Sequence, residues 1–194
     1  MLGEQKPDEE MPAVRWLPFQ LNPDLPAQGI SRQEHMERKF GPGAHRNYSH
    51  LINIGKEVGI DFAFDAIIVQ PNTLNAHRLM RYGAQHGREN DVAENLFRAY
   101  FQEGANLTDL PVLTATGERA GLDRAQLESY LASDDGKDEV LRGDIEVRQA
   151  GINSVPFFIF NRRSALSGAH EAEMLLKAFL DSCNPDSVQA TDQT

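Results

Sequence analysis

The hydrophobic pattern of the chain changes from helical to strand-like spacing near the C-terminus, and this change constrains the fold more than any other feature. Residues 155–160 read Val-Pro-Phe-Phe-Ile-Phe, and such a run of β-branched and aromatic residues predicts a strand. A turn is predicted at residues 161–162 and a return strand at 163–166, which Gly168 ends. A closing helix follows over about residues 170–180, so the chain is predicted to end in a β-hairpin and a helix.

Before the hairpin, apolar residues recur at helical spacing and predict a succession of helices. Ser31 caps the first, which ends near residue 40, and Glu34 stands three residues after it as in a capping box. The second is predicted over residues 44–58. Three further helices are predicted over residues 72–87, 89–103 and 111–121, another begins at Asp123, and the last is predicted over residues 134–150. Asparagine, glycine, proline or aspartate marks their ends.

One short strand is predicted ahead of the helices, at Val14–Phe19, where apolar and polar residues alternate. Trp16 in this strand is expected to lie in the core. Strand, helices, hairpin and helix together predict an α/β domain with an all-helical insertion. A single domain is predicted over residues 14–183, between a tail at 1–13 and a loose tail at 184–194. The sheet part of this domain is predicted at 14–30 and 152–183, and its helical insertion at about 31–150.

Charge and hydropathy exclude several classes of partner. The formal net charge is −10, which disfavours nucleic acid and anionic membranes because both repel an acidic surface. No run approaches the roughly 20 apolar residues of a membrane helix. The N-terminus lacks the basic and apolar regions of a signal peptide, and the sequence therefore predicts a cytoplasmic protein.

Cysteine and histidine content limit the chemistry of the chain. Cys183 is the single cysteine, which excludes an internal disulfide and a dithiol site within one chain. It lies near the end of the last predicted helix, where the dipole disfavours a thiolate, so we expect it to be inert. The six histidines show no spacing typical of metal ligands, and no metal site is predicted.

Four segments resemble the DsbA-like thioredoxin-fold family, in its FrnE-like branch, to which 2-hydroxychromene-2-carboxylate isomerases and kappa-class glutathione transferases are related. They lie in the same order as in the family and span residues 14 to about 181. The resemblance implies a thioredoxin-like fold with a helical insertion. The segments are residues 15–23, 71–79 with Pro-Asn-Thr-Leu-Asn-Ala-His-Arg-Leu, 96–101 with Leu-Phe-Arg-Ala-Tyr-Phe, and 151–160 with 166–169.

The resemblance does not extend to the segment that carries the family's chemistry. Relatives begin with a strand and a helix that starts at Cys-Pro-x-Cys or a serine variant, whereas Val14–Phe19 corresponds to their second strand. We therefore expect the first strand and catalytic helix to be missing, and we identify no catalytic residue. Three arrangements remain open: the acidic tail fills the gap, the strands close up, or two chains pair as a homodimer, which we favour. A start codon further upstream, which would make this chain a truncated enzyme, is a further alternative.

Substrate-binding residues follow from the resemblance at the hairpin. The family holds the bond before Pro156 in the cis form, which exposes the backbone of Val155 to a bound peptide or thiol substrate. Relatives that bind glutathione anchor its γ-glutamyl carboxylate near Ser167 and the start of the last helix. The alternatives are an ordinary edge-strand proline and a hairpin end made of small residues.

A second set of candidate residues lies in the segment 71–79. In relatives this segment faces the cleft beside the catalytic helix, and Asn72, Asn75 or Arg78 can bind a substrate carboxylate there. The alternative is structural, with Asn72 capping a helix and His77 serving the fold. Both interpretations stay open at the level of the sequence.

The resemblance implies a protein of the thiol–disulfide oxidoreductase class, without intrinsic redox activity in this chain because the dithiol is absent. Its partner would be a protein or peptide thiol substrate, or a small-molecule ligand. Alternatives are a non-catalytic peptide-binding or dimerisation module, and a glutathione-dependent isomerase or transferase. No cofactor is predicted, with glutathione as a candidate ligand.

Overall fold

The computed structural model describes residues 12–43 and 48–184. The chain forms two compact units, which divide after Gly143. The boundaries predicted for a single domain over 14–183 stay a prediction. In the part of the chain that is described, no helix has both the length and the apolar character needed to cross a bilayer.

The first unit is built mainly from helices around one hydrophobic core. Two short strands, β1 (Ile30–Ser31) and β2 (Val69–Gln70), pair antiparallel within it. A 3₁₀ turn at Phe64–Ala66 and a π-helix at Arg98–Gln102 interrupt the regular elements. The helices are α1 (Arg32–Phe40), α2 (Ser49–Glu57), α3 (Leu74–Gln85), α4 (Glu89–Phe97), α5 (Leu110–Arg119), α6 (Arg124–Ala132) and α7 (Lys137–Gln149), of which α7 continues past Gly143.

The core of the first unit lies between α3, α4, α5 and α6. Leu79, Val92, Leu113 and Leu127 are fully buried there. Burial of each such side chain contributes about 1.5–3 kcal/mol. These four helices therefore form the rigid body on which the loops of the first unit are held.

Two helix starts follow from local sequence, and the caps predicted at Ser31 and Asp123 are confirmed. The Ser31 hydroxyl accepts a hydrogen bond from the Glu34 backbone N–H at 3.0 Å. The Asp123 carboxylate accepts one from the Gln126 backbone N–H at 2.8 Å. Of the predicted helix at 44–58, the part from Ser49 is present as α2, while residues 44–47 lie outside the described residues.

The predicted strand at Val14–Phe19 is wrong, and so is the expectation that Trp16 lies in the core. Residues 12–20 form no regular secondary structure, and Trp16 is 41% exposed. Its backbone N–H donates to Glu89 Oε1 at 3.1 Å, and its indole Nε1 donates to Asn90 Oδ1 at 2.8 Å. An alternating pattern forms a strand only beside a partner backbone. This segment is instead held by side chains at the start of α4.

The second unit contains the predicted hairpin and closing helix. β3 (Phe157–Phe160) pairs antiparallel with β4 (Ser164–Ser167), and α8 (Ala172–Cys183) follows. The turn between the strands has positive φ at Asn161 and Arg162, as a type I′ turn requires. Few residues of this unit are buried. Among residues 144–184, the buried ones are Asp144, Ile152 and Ser182. Most of each predicted tail, at residues 1–11 and 185–194, lies outside the described residues.

Candidate functional site

One edge of β3 offers unpaired backbone groups, and the register shows which residues carry them. Gly168 N–H donates to the Pro156 carbonyl at 2.8 Å, so these two residues form a hydrogen-bonded pair of the ladder. Hydrogen-bonded and non-hydrogen-bonded pairs alternate along an antiparallel ladder. The pairs Phe157↔Ser167 and Ile159↔Ala165 are therefore of the second kind. Hence Phe157 and Ile159 direct their N–H and C=O groups away from β4, toward an edge that no described strand covers.

Val155, Pro156 and Ser167 lie together at one end of the hairpin. The peptide bond between Val155 and Pro156 is cis. Val155 is 44% exposed, and its backbone makes no hydrogen bond within the described residues. Ser167 lies opposite Phe157 in the register, and its carbonyl accepts a hydrogen bond from His170 Nε2 at 3.0 Å. The structure thus brings the three hairpin residues named by the sequence to one end of the hairpin.

The other three candidates belong to the first unit, where their side chains serve the fold. Asn72 Oδ1 accepts from the Leu74 backbone N–H at 2.9 Å, and Asn72 Nδ2 donates to the Leu25 carbonyl at 2.7 Å. Asn75 Oδ1 accepts from Arg78 Nη1 at 2.9 Å. These contacts match the structural interpretation of the segment. A direct role of Asn72, Asn75 or Arg78 in binding stays a prediction.

Arg78 is the most heavily bonded side chain of this segment. It is 3% exposed, and each of the five N–H groups of its guanidinium has an acceptor. Four of the acceptors are backbone carbonyls at and just after the C-terminus of α6, where unpaired carbonyls and the helix dipole favour a cation. The acceptors are Asn75 Oδ1 and the carbonyls of Tyr130, Leu131, Ser133 and Asp135, at 2.7–3.2 Å.

Tyr130 completes the surroundings of this arginine. The guanidinium carbon of Arg78 lies 5.1 Å from the centroid of the Tyr130 ring, within the range of a cation–π contact. Burial raises the pKa of the Tyr130 hydroxyl above its ordinary value, while the charge of Arg78 acts in the opposite direction. The hydroxyl is therefore neutral, and it donates to the Arg78 carbonyl at 3.3 Å.

Sequence reasoning named Val155 and Pro156 but missed the edge groups of Phe157 and Ile159. The signal was present in the sequence, because counting pairs outward from the turn at 161–162 assigns alternate residues of the strand to opposite edges.

No group of three or more histidine, cysteine, aspartate or glutamate side chains in the described parts of the chain is placed to hold a metal ion.

Known proteins match this chain along most of its length. The family model for the DSBA-like thioredoxin domain matches residues 5–180. The uncharacterized protein YwbO of Bacillus subtilis is 26% identical over 176 residues, which cover 87% of this chain and 81% of that protein. A crystal structure of a probable DsbA oxidoreductase from Streptomyces coelicolor superposes with a TM-score of 0.74 at 22% identity, covering 91% of this chain and 76% of that one. The predicted α/β thioredoxin-like fold with a helical insertion is confirmed.

Proposed function

The chain belongs to the DsbA-like thioredoxin family, and from this membership we propose that it binds an extended polypeptide along the open edge of β3, beside Val155 and Pro156. The bound partner is a protein or peptide thiol substrate of the kind that the oxidoreductase class acts on. The observation that carries the proposal is the set of backbone groups that Phe157 and Ile159 direct away from β4.

Strand addition to this edge is supported by both the backbone and the side chains. An incoming strand gains main-chain hydrogen bonds from the edge, and its affinity comes from them. Specificity comes from alternate side chains, and Val155 and Ile159 are 44% and 48% exposed at this end of the molecule.

We propose further that the chain does not itself perform dithiol exchange, because its sequence contains one cysteine. Exchange by a DsbA-like site uses two cysteines, one that attacks and one that resolves the mixed disulfide. Cys183 lies exposed at the end of α8, and its Sγ is 3.5 Å from Asn161 Nδ2.

With dithiothreitol as reductant, we expect this polypeptide to leave the rate of insulin reduction at the uncatalysed value. The turbidity of precipitating insulin B chain measures the rate. The Cys183→Ser variant is the matched control and is expected to behave identically. Turnover by the wild type that Cys183→Ser abolishes would contradict the proposal.

Replacing Ile159 by proline is expected to weaken peptide binding by about tenfold or more, since the ring removes an edge N–H and obstructs the approach of a strand. The hairpin tolerates the change because that N–H is not used by β4, and proline occurs on edges of this kind. Fluorescence anisotropy of a labelled, reduced and carboxymethylated insulin B chain measures the affinity.

The matched control is Ala165→Pro, which blocks the outer edge of β4 at the position opposite Ile159. It is expected to leave the affinity unchanged within about twofold, whereas equal losses in both variants would place binding elsewhere. Far-UV circular dichroism of both variants confirms that the fold is retained.

A second copy of the chain is the alternative occupant of this edge, and the exposed apolar residues of the second unit favour it. Ile159, Met174, Leu176 and Leu180 are all about half exposed. Two β3 edges can pair across a twofold axis, which gives a homodimer with one continuous sheet. Light scattering of the two proline variants separates the cases, because Ile159→Pro would then be a monomer and Ala165→Pro a dimer.

Glutathione is the remaining candidate ligand, at the end of the hairpin near Ser167. Its γ-glutamyl carboxylate would meet backbone N–H groups between Gly168 and the start of α8. Saturable displacement of the labelled peptide by glutathione would support this alternative.

A further inference from the structure

Arg32 is a partly buried cation in the first unit whose hydrogen-bond partners are neutral. It is the first residue of α1. Its Nη2 donates to the Tyr48 hydroxyl at 2.6 Å, and its Nη1 donates to Gln70 Oε1. The guanidinium carbon lies 6.0 Å from the centroid of the Tyr48 ring. No carboxylate within the described residues pairs with it.

The remaining donor capacity sets Arg32 apart from Arg78, the buried arginine of α3. A guanidinium has five N–H groups. All five of Arg78 meet protein acceptors, whereas two of Arg32 do so among the described residues. The hydrogen bonding of Arg78 is therefore complete, whereas Arg32 retains N–H groups from which an anion can accept hydrogen bonds.

The charge of Arg32 lies at the N-terminus of α1 and does not stabilise that helix. A cation at a helix N-terminus is disfavoured by the dipole. The pKa of His35, one turn along α1, is lowered by burial first and then by the charges of Arg32, Lys39 and Arg38. An anion placed beside Arg32 would thus reduce repulsion as well as form hydrogen bonds.

Aromatic rings adjoin the guanidinium. Tyr48 and Phe64 stack at 4.2 Å between centroids with their planes 15° apart, and Phe62 stacks on Phe64 at 4.9 Å. Phe101 meets the rings of Phe62 and Phe64 edge-on, at 6.2 Å from each. None of these four side chains is fully buried.

The π-helix Arg98–Gln102 brings a further ring toward Arg32. The Tyr100 hydroxyl donates to the Val69 carbonyl at 3.5 Å, next to Gln70, whose Oε1 accepts from Arg32. Burial raises the pKa of this hydroxyl, and the charge of Arg32 acts in the opposite direction. Short π-helices occur frequently where a helix contributes to a functional site. The irregular turn thus carries Tyr100 and Phe101 to the same place.

We propose that Arg32 and the rings of Tyr48, Phe62 and Phe64 form a binding site for a small organic anion with a planar apolar body, such as an aromatic carboxylate. The carboxylate accepts charge-assisted hydrogen bonds from the guanidinium, which are shorter and stronger than neutral ones. The planar body packs on the rings, which prefer offset-stacked or edge-on neighbours. The site shares no residue with the β3 edge.

The test uses 4-fluorobenzoate as the probe and fluorine NMR of the probe as the measurement. We expect saturable broadening with the wild-type chain, and binding of the neutral isostere 4-fluorobenzamide that is at least about tenfold weaker, because a charge-assisted bond is lost. Arg32→Gln is expected to weaken 4-fluorobenzoate binding by a similar factor. The matched control is Arg38→Gln, on the same helix but exposed and paired with Glu34, which should bind as the wild type does.

Saturable binding that requires both the carboxylate and Arg32 supports the site. Equal binding of the acid and the amide by the wild type would overturn it, and so would the absence of saturable binding. Equal losses in Arg32→Gln and Arg38→Gln would also overturn it, since they would indicate general attraction to a basic helix. Should Arg32→Gln fail to fold, the comparison of acid and amide on the wild type decides alone.

Discussion

Replacement of Arg78 by methionine is expected to lower the free energy of unfolding by about 3–5 kcal/mol, the range seen when one partner is removed from a buried charged network. Methionine has a similar length and no N–H groups. Four backbone carbonyls between Tyr130 and Asp135 would lose the hydrogen bond from Arg78, in a site where Arg78 is 3% exposed. Of these, the Tyr130 carbonyl keeps hydrogen bonds from the hydroxyl and the backbone N–H of Ser133. Each buried acceptor left without a partner costs about 1–3 kcal/mol, and water that enters the site and donates to the acceptor reduces this cost.

Urea denaturation followed by far-UV circular dichroism measures this loss. Arg81→Met is the matched control, because Arg81 lies on the same helix, is partly exposed, and contacts Glu139 at 3.4 Å. Exposed pairs of this kind contribute about 0–1 kcal/mol. Losses of equal size in the two variants would contradict the role assigned to Arg78. Arg78→Lys is expected to resemble Arg78→Met, since one ammonium cannot reproduce the planar fork of donors.

Arg78 also shows what the sequence could not decide. A cleft arginine that binds a carboxylate and a buried arginine that caps a helix have the same local sequence. The difference lies in carbonyls that are 52–57 residues further along the chain. Only the packing of α3 against α6 brings them to the guanidinium. The resemblance to the family left both roles of this segment open.

Features that depend on neighbours in sequence were predicted well. The Ser31 cap, the Asp123 cap and the hairpin around 161–162 each depend on a few consecutive residues, and each is present. The strand at Val14–Phe19 failed because a strand requires a partner backbone. The segment that holds Trp16 is more than seventy residues away, so the alternation of apolar and polar residues could not reveal it.

The two proposed sites differ in how much of each could be predicted from the sequence. The β3 edge could be derived almost entirely, because Pro156 marks its start and the turn sets which backbone groups face outward. The Arg32 site could not, because its donor comes from α1 and its rings come from the start of α2 and from residues 62–64. No local motif joins these three elements. Their proximity is a property of tertiary packing.

Close packing at Gly117 leads to a second large expected effect, a loss of about 2 kcal/mol when this residue is replaced by alanine. In an exposed helix position, glycine to alanine stabilises by about 1 kcal/mol. At Gly117 an added Cβ would lie 2.3 Å from Leu127 Cδ2 and 3.0 Å from Leu79 Cδ1. Both leucines are fully buried, so neither can move without disturbing the core between α3, α5 and α6. Overpacking of this kind costs about 1–3 kcal/mol.

The exposed residue Ala115, on the same helix, separates helix propensity from packing. Ala115→Gly is expected to lose about 1 kcal/mol through propensity alone. If propensity also governed position 117, Gly117→Ala would raise the urea midpoint, whereas close packing predicts that it falls further than in Ala115→Gly. A rise would mean that α5 can shift away from α6, and with it the end of α6 that Arg78 holds. The sign of this one change therefore tests whether the helices of the first unit are close-packed.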